Sequence, residues 1–488
     1  MPDSEIALFT QCVMLNNQQK QFMRTRKNVL LVLVLILSMP LIAQRTAVFT
    51  EANLAYKRGE AFMSKGQLGQ AQAEFRQTIN QLGPINQAEA ELLLTKAQFK
   101  YAKCAIQLGQ PDGEKLMLDF IRMQRPDPIA NDALVEVAHF YFDDQEFEKA
   151  IEYYSQVPTG GMTREQRGEV RFKMGYSFFV QKKFSSAKSN FQEIKDVETE
   201  YYYPTNYYLG LCHFFEGSYN NAIKQFRIVE KSQKYKNYIP YYLTQIYFAE
   251  RRYDELIAYA EPRLQESGIR KLPETTQLVG QAYFEKQNYE QALPYLEYYA
   301  ERSSKLREEE WYQLGFTQHQ MGMHKKAVQS LKELNGIDSR IGQSAMYYLA
   351  DSHLRTGDRQ SARTALAQAR RMTYDPTIQE EANFNYAKLS YELKDPREAI
   401  DALQIIPPTS RYYVEAQSLM SEIFLNYRDY QQALSVIEKM PNKTPQIQES
   451  YQKVAYLRGL QLLQADDLED AKAHLYKSQQ FPIDLRTK

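Results

Sequence analysis

The sequence predicts an all-α solenoid of about twelve stacked helix hairpins, and three observations predict it. A pattern of small and large apolar residues recurs about every 34 to 38 residues from Phe49 onward, once at a somewhat longer interval. Within each copy the apolar positions lie three and four apart, the spacing of one helix face. Glycine and proline, at 20 and 19 of 488 residues, are too scarce for a loop-rich β protein.

Taken in chain order, the first element is an address. Basic residues Met23 to Lys27 precede the unbroken apolar run Val29 to Leu37, and Ser38-Met39-Pro40-Leu41-Ile42-Ala43-Gln44 follows. A charged start, a short greasy stretch and a small residue at a polar boundary describe a secretory signal peptide over 23–43, cut after Ala43. Leu41 meets the small-x-small preference at the cut only by half. Residues 1–22 have no role in such a leader, so translation is expected to begin at Met23. The apolar stretch is shorter than the roughly 20 residues that span a bilayer, which leaves an uncleaved inner-membrane anchor through 29–42 as the lesser reading.

From 44 to 482 the repeats run without a break. The plainest copy is Gly175, Phe178, Ala187 and Phe191: a small residue, an aromatic three later, a second small residue, then a large apolar one. The same spacing returns at Gly59, Ala138, Gly210, Gly280, Gly315, Ala350, Ala387, Ser421 and Gly459, with weaker copies around Ala102 to Leu118 and Thr244 to Ala260. Each copy describes two amphipathic helices whose small residues mark the closest approach, with aromatics filling the space beside it. Polar segments such as Lys182-Lys183, Glu216-Gly217-Ser218 and Thr356-Gly357-Asp358 separate the two helices. Prolines near repeat ends, Pro126, Pro158, Pro407, Pro441 and Pro445 among them, are expected to stop the second helix. Residues 483–488 follow the last pair with no polar capping helix, so either a longer native polypeptide or another subunit is expected over that end.

These residues resemble the tetratricopeptide repeat family. Trp311-Tyr312-Gln313-Leu314-Gly315 matches its opening and Ala327 its later alanine, and the resemblance extends from about Phe49 to Gln480. It implies a right-handed superhelical solenoid whose first helices line a concave surface that holds peptides or partner proteins. Departures are Gln318 in place of an aromatic, and Glu114 and Leu256 where the second and sixth copies should carry a small residue. Packing irregularities are expected there.

Composition excludes several function classes. Lysine plus arginine equals aspartate plus glutamate at 60 each, which argues against nucleic acid as a partner. No zinc-protease, phosphate-loop, serine-hydrolase or paired-cysteine motif is present, and no tract outside the repeats could house an enzyme domain. The expectation is therefore no enzyme, no cofactor, no metal and no small-molecule substrate. Cys104 and Cys212 read as helix-packing residues, and His213 and His353 as core fillers at the aromatic position. His319 and His324 straddle the turn Met321 to Met323, and as metal ligands they would need partners that the spacing does not supply.

The resemblance places the partner groove on the first helices. The matching positions read Phe172, Tyr176, Phe179, Tyr207, Leu211, Phe214, Phe215, Tyr238, Tyr241 and Phe248, an aromatic stripe that Tyr312 and Phe316 extend and that Tyr347, Phe384 and Tyr391 continue more sparsely. Two readings stand: rings that fill the seams between adjacent first helices, or a groove of aromatic anchors of the kind enriched at binding hot spots. The lysine and asparagine clamp with which some relatives grip acidic chain ends is absent from these positions.

The function expected is a protein-interaction scaffold of a bacterial envelope, exported to the periplasm or outer-membrane periphery, holding other proteins or peptide segments. The alternatives are the non-catalytic amino-terminal part of a longer envelope protein, for assembly or secretion, and a solenoid cell-wall hydrolase.

Overall fold

Small residues at fixed intervals let two helices touch, and the computed structural model shows twelve such pairs among its described residues. It describes Met23, residues 47–85, 88–440, Lys443 and 445–483. The start-site segment 1–22, the leader 23–43 apart from Met23, and 484–488 of the expected uncapped end lie outside the described residues. Among those described, every regular element is helical.

The chain divides into two compact units, the first ending at Tyr235 and the second beginning at Lys236. The first holds five hairpins: α1 (47–64) with α2 (Leu68–Leu82), α3 (Ala88–Gln107) with α4 (Gly113–Gln124), α5 (Pro128–Asp143) with α6 (Phe147–Ser155), α7 (Arg164–Val180) with α8 (Phe184–Ile194), and α9 (Tyr202–Phe215) with α10 (Tyr219–Val229). The second holds seven. They are α11 (Ile239–Ala249) with α12 (Tyr253–Ala260), α13 (Leu272–Glu285) with α14 (Tyr289–Arg302), α15 (Glu308–Gln320) with α16 (His324–Leu331), and α17 (Arg340–Arg355) with α18 (Arg359–Ala369). The remainder are α19 (Pro376–Glu392) with α20 (Pro396–Gln404), α21 (Tyr413–Asn426) with α22 (Tyr430–Glu438), and α23 (Pro445–Gln464) with α24 (Leu468–Ser478).

Within a hairpin the small-to-large spacing has a direct geometric cause. A Cβ placed on Gly175 would stand 2.7 Å from Cε1 of Phe191, and one on Gly210 would stand 2.7 Å from Cε1 of Phe226. The glycine lets the ring lie against the first helix, and Phe191 and Phe226 are fully buried. Between hairpins, each second helix packs on its own first helix and on the next first helix inside the same unit. First helices also touch in succession, α3 on α5, α7 and α9 in the first unit and α11 through α23 in the second. Within each unit they therefore form a wall, backed by the second helices.

The departures expected at the weak repeats resolve individually. In the second hairpin the close approach uses Gly113, one residue before Glu114: a Cβ there would meet the Ala105 carbonyl oxygen at 2.8 Å. Glu114 is then free to accept a hydrogen bond from the Tyr153 hydroxyl at 2.9 Å. In the sixth hairpin Leu256 is fully buried at the small position, on a second helix of only eight residues. Gln318 is buried in place of an aromatic, and its amide is satisfied by Glu297 at 3.2 Å and by the Ser330 hydroxyl at 2.8 Å. Pro445 does not stop a second helix as expected but opens α23, where a missing N–H costs nothing. At the last hairpin Leu463, Leu468 and Tyr476 are exposed.

Candidate wall of first helices

An aromatic side chain on a first helix can be a filler or an anchor, and depth decides which. Of the twelve residues assigned to the groove, Tyr207 and Leu211 are buried. They shape the wall from behind and offer no face to a partner. Phe172, Tyr176, Phe179, Phe214, Tyr241, Phe248, Tyr312 and Phe316 are half-buried, while Phe215 at 54% and Tyr238 at 37% are exposed.

The half-buried rings touch each other in a repeating way that the spacing reading missed. In six consecutive hairpins, a ring near the end of the first helix meets the ring that opens the second, five residues on. The pairs are Phe142–Phe147, Phe179–Phe184, Phe214–Tyr219, Phe248–Tyr253, Phe284–Tyr289 and His319–His324, with centroids 5.4 to 6.2 Å apart. This clasp crosses the turn and fixes the angle between the two helices, using the edge-to-face and tilted contacts that aromatic quadrupoles favour. Its signal was present in the sequence as aromatics five apart across each polar turn.

A third ring then locks onto the clasp from the next first helix. Tyr176 lies 5.7 Å from Phe142 and 6.0 Å from Phe147. Phe316 does the same to Phe284 and Tyr289, at 5.9 and 5.5 Å. Both residues are thus seam fillers at least on one side. Tyr208 joins the first of these seams at 5.0 Å from Tyr176 and 5.1 Å from Phe179. Phe215 stacks on Phe184 with ring centres 5.4 Å apart, also meets Phe179 and Phe214, and still remains exposed.

Farther along, the tyrosine hydroxyl becomes the working atom. Tyr347 donates to Glu381 at 2.7 Å, and Tyr412 donates to the same carboxylate at 3.3 Å. Tyr283 donates to Glu261 at 3.0 Å, Tyr386 to Glu398 at 2.8 Å and Tyr451 to Glu438 at 3.2 Å. Burial and the neighbouring carboxylate hold these phenols protonated: Tyr451 is pushed up to about 12. Phe384 stacks on Tyr412 with ring centres 4.8 Å apart.

Ionisable groups elsewhere on the wall are buried among partners. His139 lies 3.6 Å from Glu169 and beside Lys173, and burial drives its imidazole well below the usual histidine range. His213 is buried and His353 half-buried, and burial lowers both. Cys104 and Cys212 are fully buried thiols, raised by burial to about 11 and about 12, so neither is a reactive thiolate. No helix among the described residues is long and apolar enough to cross a membrane.

Residues 268–435 match the family model for the ARM repeat of tetratricopeptide repeat protein 21. No curated protein matches the chain. Among solved structures, a tetratricopeptide repeat protein from Parabacteroides merdae is 14% identical over 53% of this chain and 99% of its own, with a TM-score of 0.33. The C-terminal part of a repeat protein of the same kind from Cytophaga hutchinsonii is 15% identical over 57% of this chain and 97% of its own, with a TM-score of 0.27. A chain of the Naa15/Naa10 structure bound to HypK-THB is 10% identical over 87% of this chain and 68% of its own, with a TM-score of 0.40. These superpositions are too loose to carry any residue from one chain to another.

Proposed function

We propose that this chain, a tetratricopeptide-repeat protein, is an exported scaffold of the bacterial envelope that holds partner proteins or peptide segments along its first helices. The observation that carries the reading is the wall within each unit: first helix touches first helix, and the wall presents half-buried and exposed rings, with Phe215 in the first unit the most exposed of them. Such rings contribute large contact area at little entropic cost once covered. The leader-like segment 23–43 supports placement in the periplasm or at the outer-membrane periphery.

The test is a photo-crosslinking amino acid placed at Phe215 on the wall and, as control, at Lys224 on a second helix. A defined partner captured in cells at Phe215 and not at Lys224 supports the reading; equal capture at both sites, or none at either, removes it. Mass spectrometry of the mature protein tests the export half. A chain beginning after Ala43 is expected, and a cytoplasmic protein retaining 23–43 would refute it.

A further inference from the structure

The eighth hairpin differs from the other eleven in the chemistry of its turn. Every other second helix starts behind a polar or charged residue, from Gln67 before α2 to Asp467 before α24. A side-chain oxygen there can accept from the free N–H groups of the first turn, as those of Asn288, Asp358, Asp429 and Asp467 do. Helix α16 instead starts behind Met323, which provides no cap. Met323 and, two residues earlier, Met321 are exposed, on either side of the left-handed Gly322. Met346, Met420 and Met440 in the same unit are buried, the ordinary place for this side chain.

The clasp across that turn is also chemically distinct. The five preceding hairpins fill it with phenylalanine and tyrosine; here it is His319 and His324, ring centres 5.4 Å apart and 64° between planes. Ser352 Oγ lies 3.0 Å from Nδ1 of His319 and orients that ring. Nε2 faces Asp351 Oδ2 at 3.6 Å, a carboxylate that Arg355 Nε also approaches at 3.6 Å. Nδ1 of His324 is buried without a hydrogen-bond partner, a costly state for a polar atom.

We propose that the turn from His319 to His324 binds one soft monovalent ion of the copper(I) type, held by the two imidazoles and the thioethers of Met321 and Met323. Two imidazoles bound to one ion at about 2.0 Å in a tetrahedral arrangement have ring centres about 5 Å apart, close to the spacing of this pair. Among the described residues no group of three or more His, Cys, Asp and Glu side chains is placed to hold a metal, so a nitrogen-and-oxygen set for zinc is not assembled here. Thioethers are the remaining donors, and they select copper(I) over harder ions. The two methionines supply what the histidine spacing alone lacks, and their three rotatable bonds let the sulfurs swing onto an ion at the turn.

The experiment titrates the mature full-length chain with silver(I), a redox-inert probe, and with copper(I) against a chromogenic chelator without oxygen. The wild type is expected to take up one equivalent more than the variant His319→Phe/His324→Phe, which restores the ring pair of the neighbouring hairpins. Met321→Leu/Met323→Leu, both at exposed positions, is expected to weaken that equivalent by at least about a hundredfold, with an unchanged melting curve. X-ray absorption of the copper(I) form should show sulfur and nitrogen neighbours, with sulfur lost in the leucine variant. Equal uptake by the wild type and the phenylalanine variant overturns the proposal, as does unchanged affinity in the leucine variant.

Discussion

The seam between α7 and α9 and the ladder between α17 and α21 use tyrosine for opposite ends of the same side chain. In the first, Tyr176 and Tyr208 work through their rings, edge to face with Phe142, Phe147 and Phe179. In the second, Tyr347 and Tyr412 work through their hydroxyls, both donating to Glu381. The difference teaches that the 37 tyrosines are not one population. A ring seam is non-directional and tolerates loss of the oxygen, whereas a hydroxyl-to-carboxylate bond fixes one geometry and leaves a charge unsatisfied when it is broken.

The comparison can be broken or sharpened by variants, with Trp311 as a built-in reporter because the single tryptophan lies in the second unit. The largest effect is expected at the close approach. Gly175→Val drives new atoms into Phe191 and should cost the first unit about 3 kcal/mol in urea unfolding by circular dichroism, with the Trp311 transition unmoved. Next, Tyr347→Phe should cost the second unit about 1.5 kcal/mol, while Tyr176→Phe should stay within about 0.5 kcal/mol. If the two are equal, the distinction between ring and hydroxyl fails.

Titration gives smaller effects of opposite sign. Tyr451 is raised from 10.0 to about 12 in the fold, so its contribution is complete below pH 10 and is lost as pH climbs through about 12. Tyr451→Phe should flatten part of the alkaline fall in melting temperature read by Trp311. His139 is depressed by burial, so its contribution is present above its ordinary value of 6.5 and is lost as pH falls below it. His139→Phe should flatten part of the acid limb of the first unit. The smallest stability change, under about 1 kcal/mol, is expected for Phe215→Ala, whose ring is exposed. The same change should weaken capture of the partner by the full-length chain at least about tenfold, read by pull-down of the partner that the crosslink identifies.

The hairpins were legible because contact between two helices demands a small residue opposite a large one, and that demand repeats at Gly59, Gly175, Gly210 and Gly315 with the same spacing each time. Depth was not legible. A hydrophobic pattern tells which face of a helix turns inward but not how far, so Tyr207 and Leu211 read like Phe215 although the first two are buried. Gly113 was missed for a related reason: the close approach in the second hairpin sits one residue off the repeat register, and the register pointed at Glu114. The five-residue clasp was present in the letters but runs across a turn, where helix periodicity has no meaning. His319 and His324 were noticed, yet without the clasp nothing brought their rings together.

Glu381 has a mechanical consequence. It sits on α19, takes one hydroxyl from α17 and another from Tyr412 just ahead of α21, and pairs with Arg411. One carboxylate therefore rivets the ninth, tenth and eleventh hairpins. A pulling force applied along the chain meets these three as a single link, so they should yield together in one rip that Glu381→Gln splits into smaller steps.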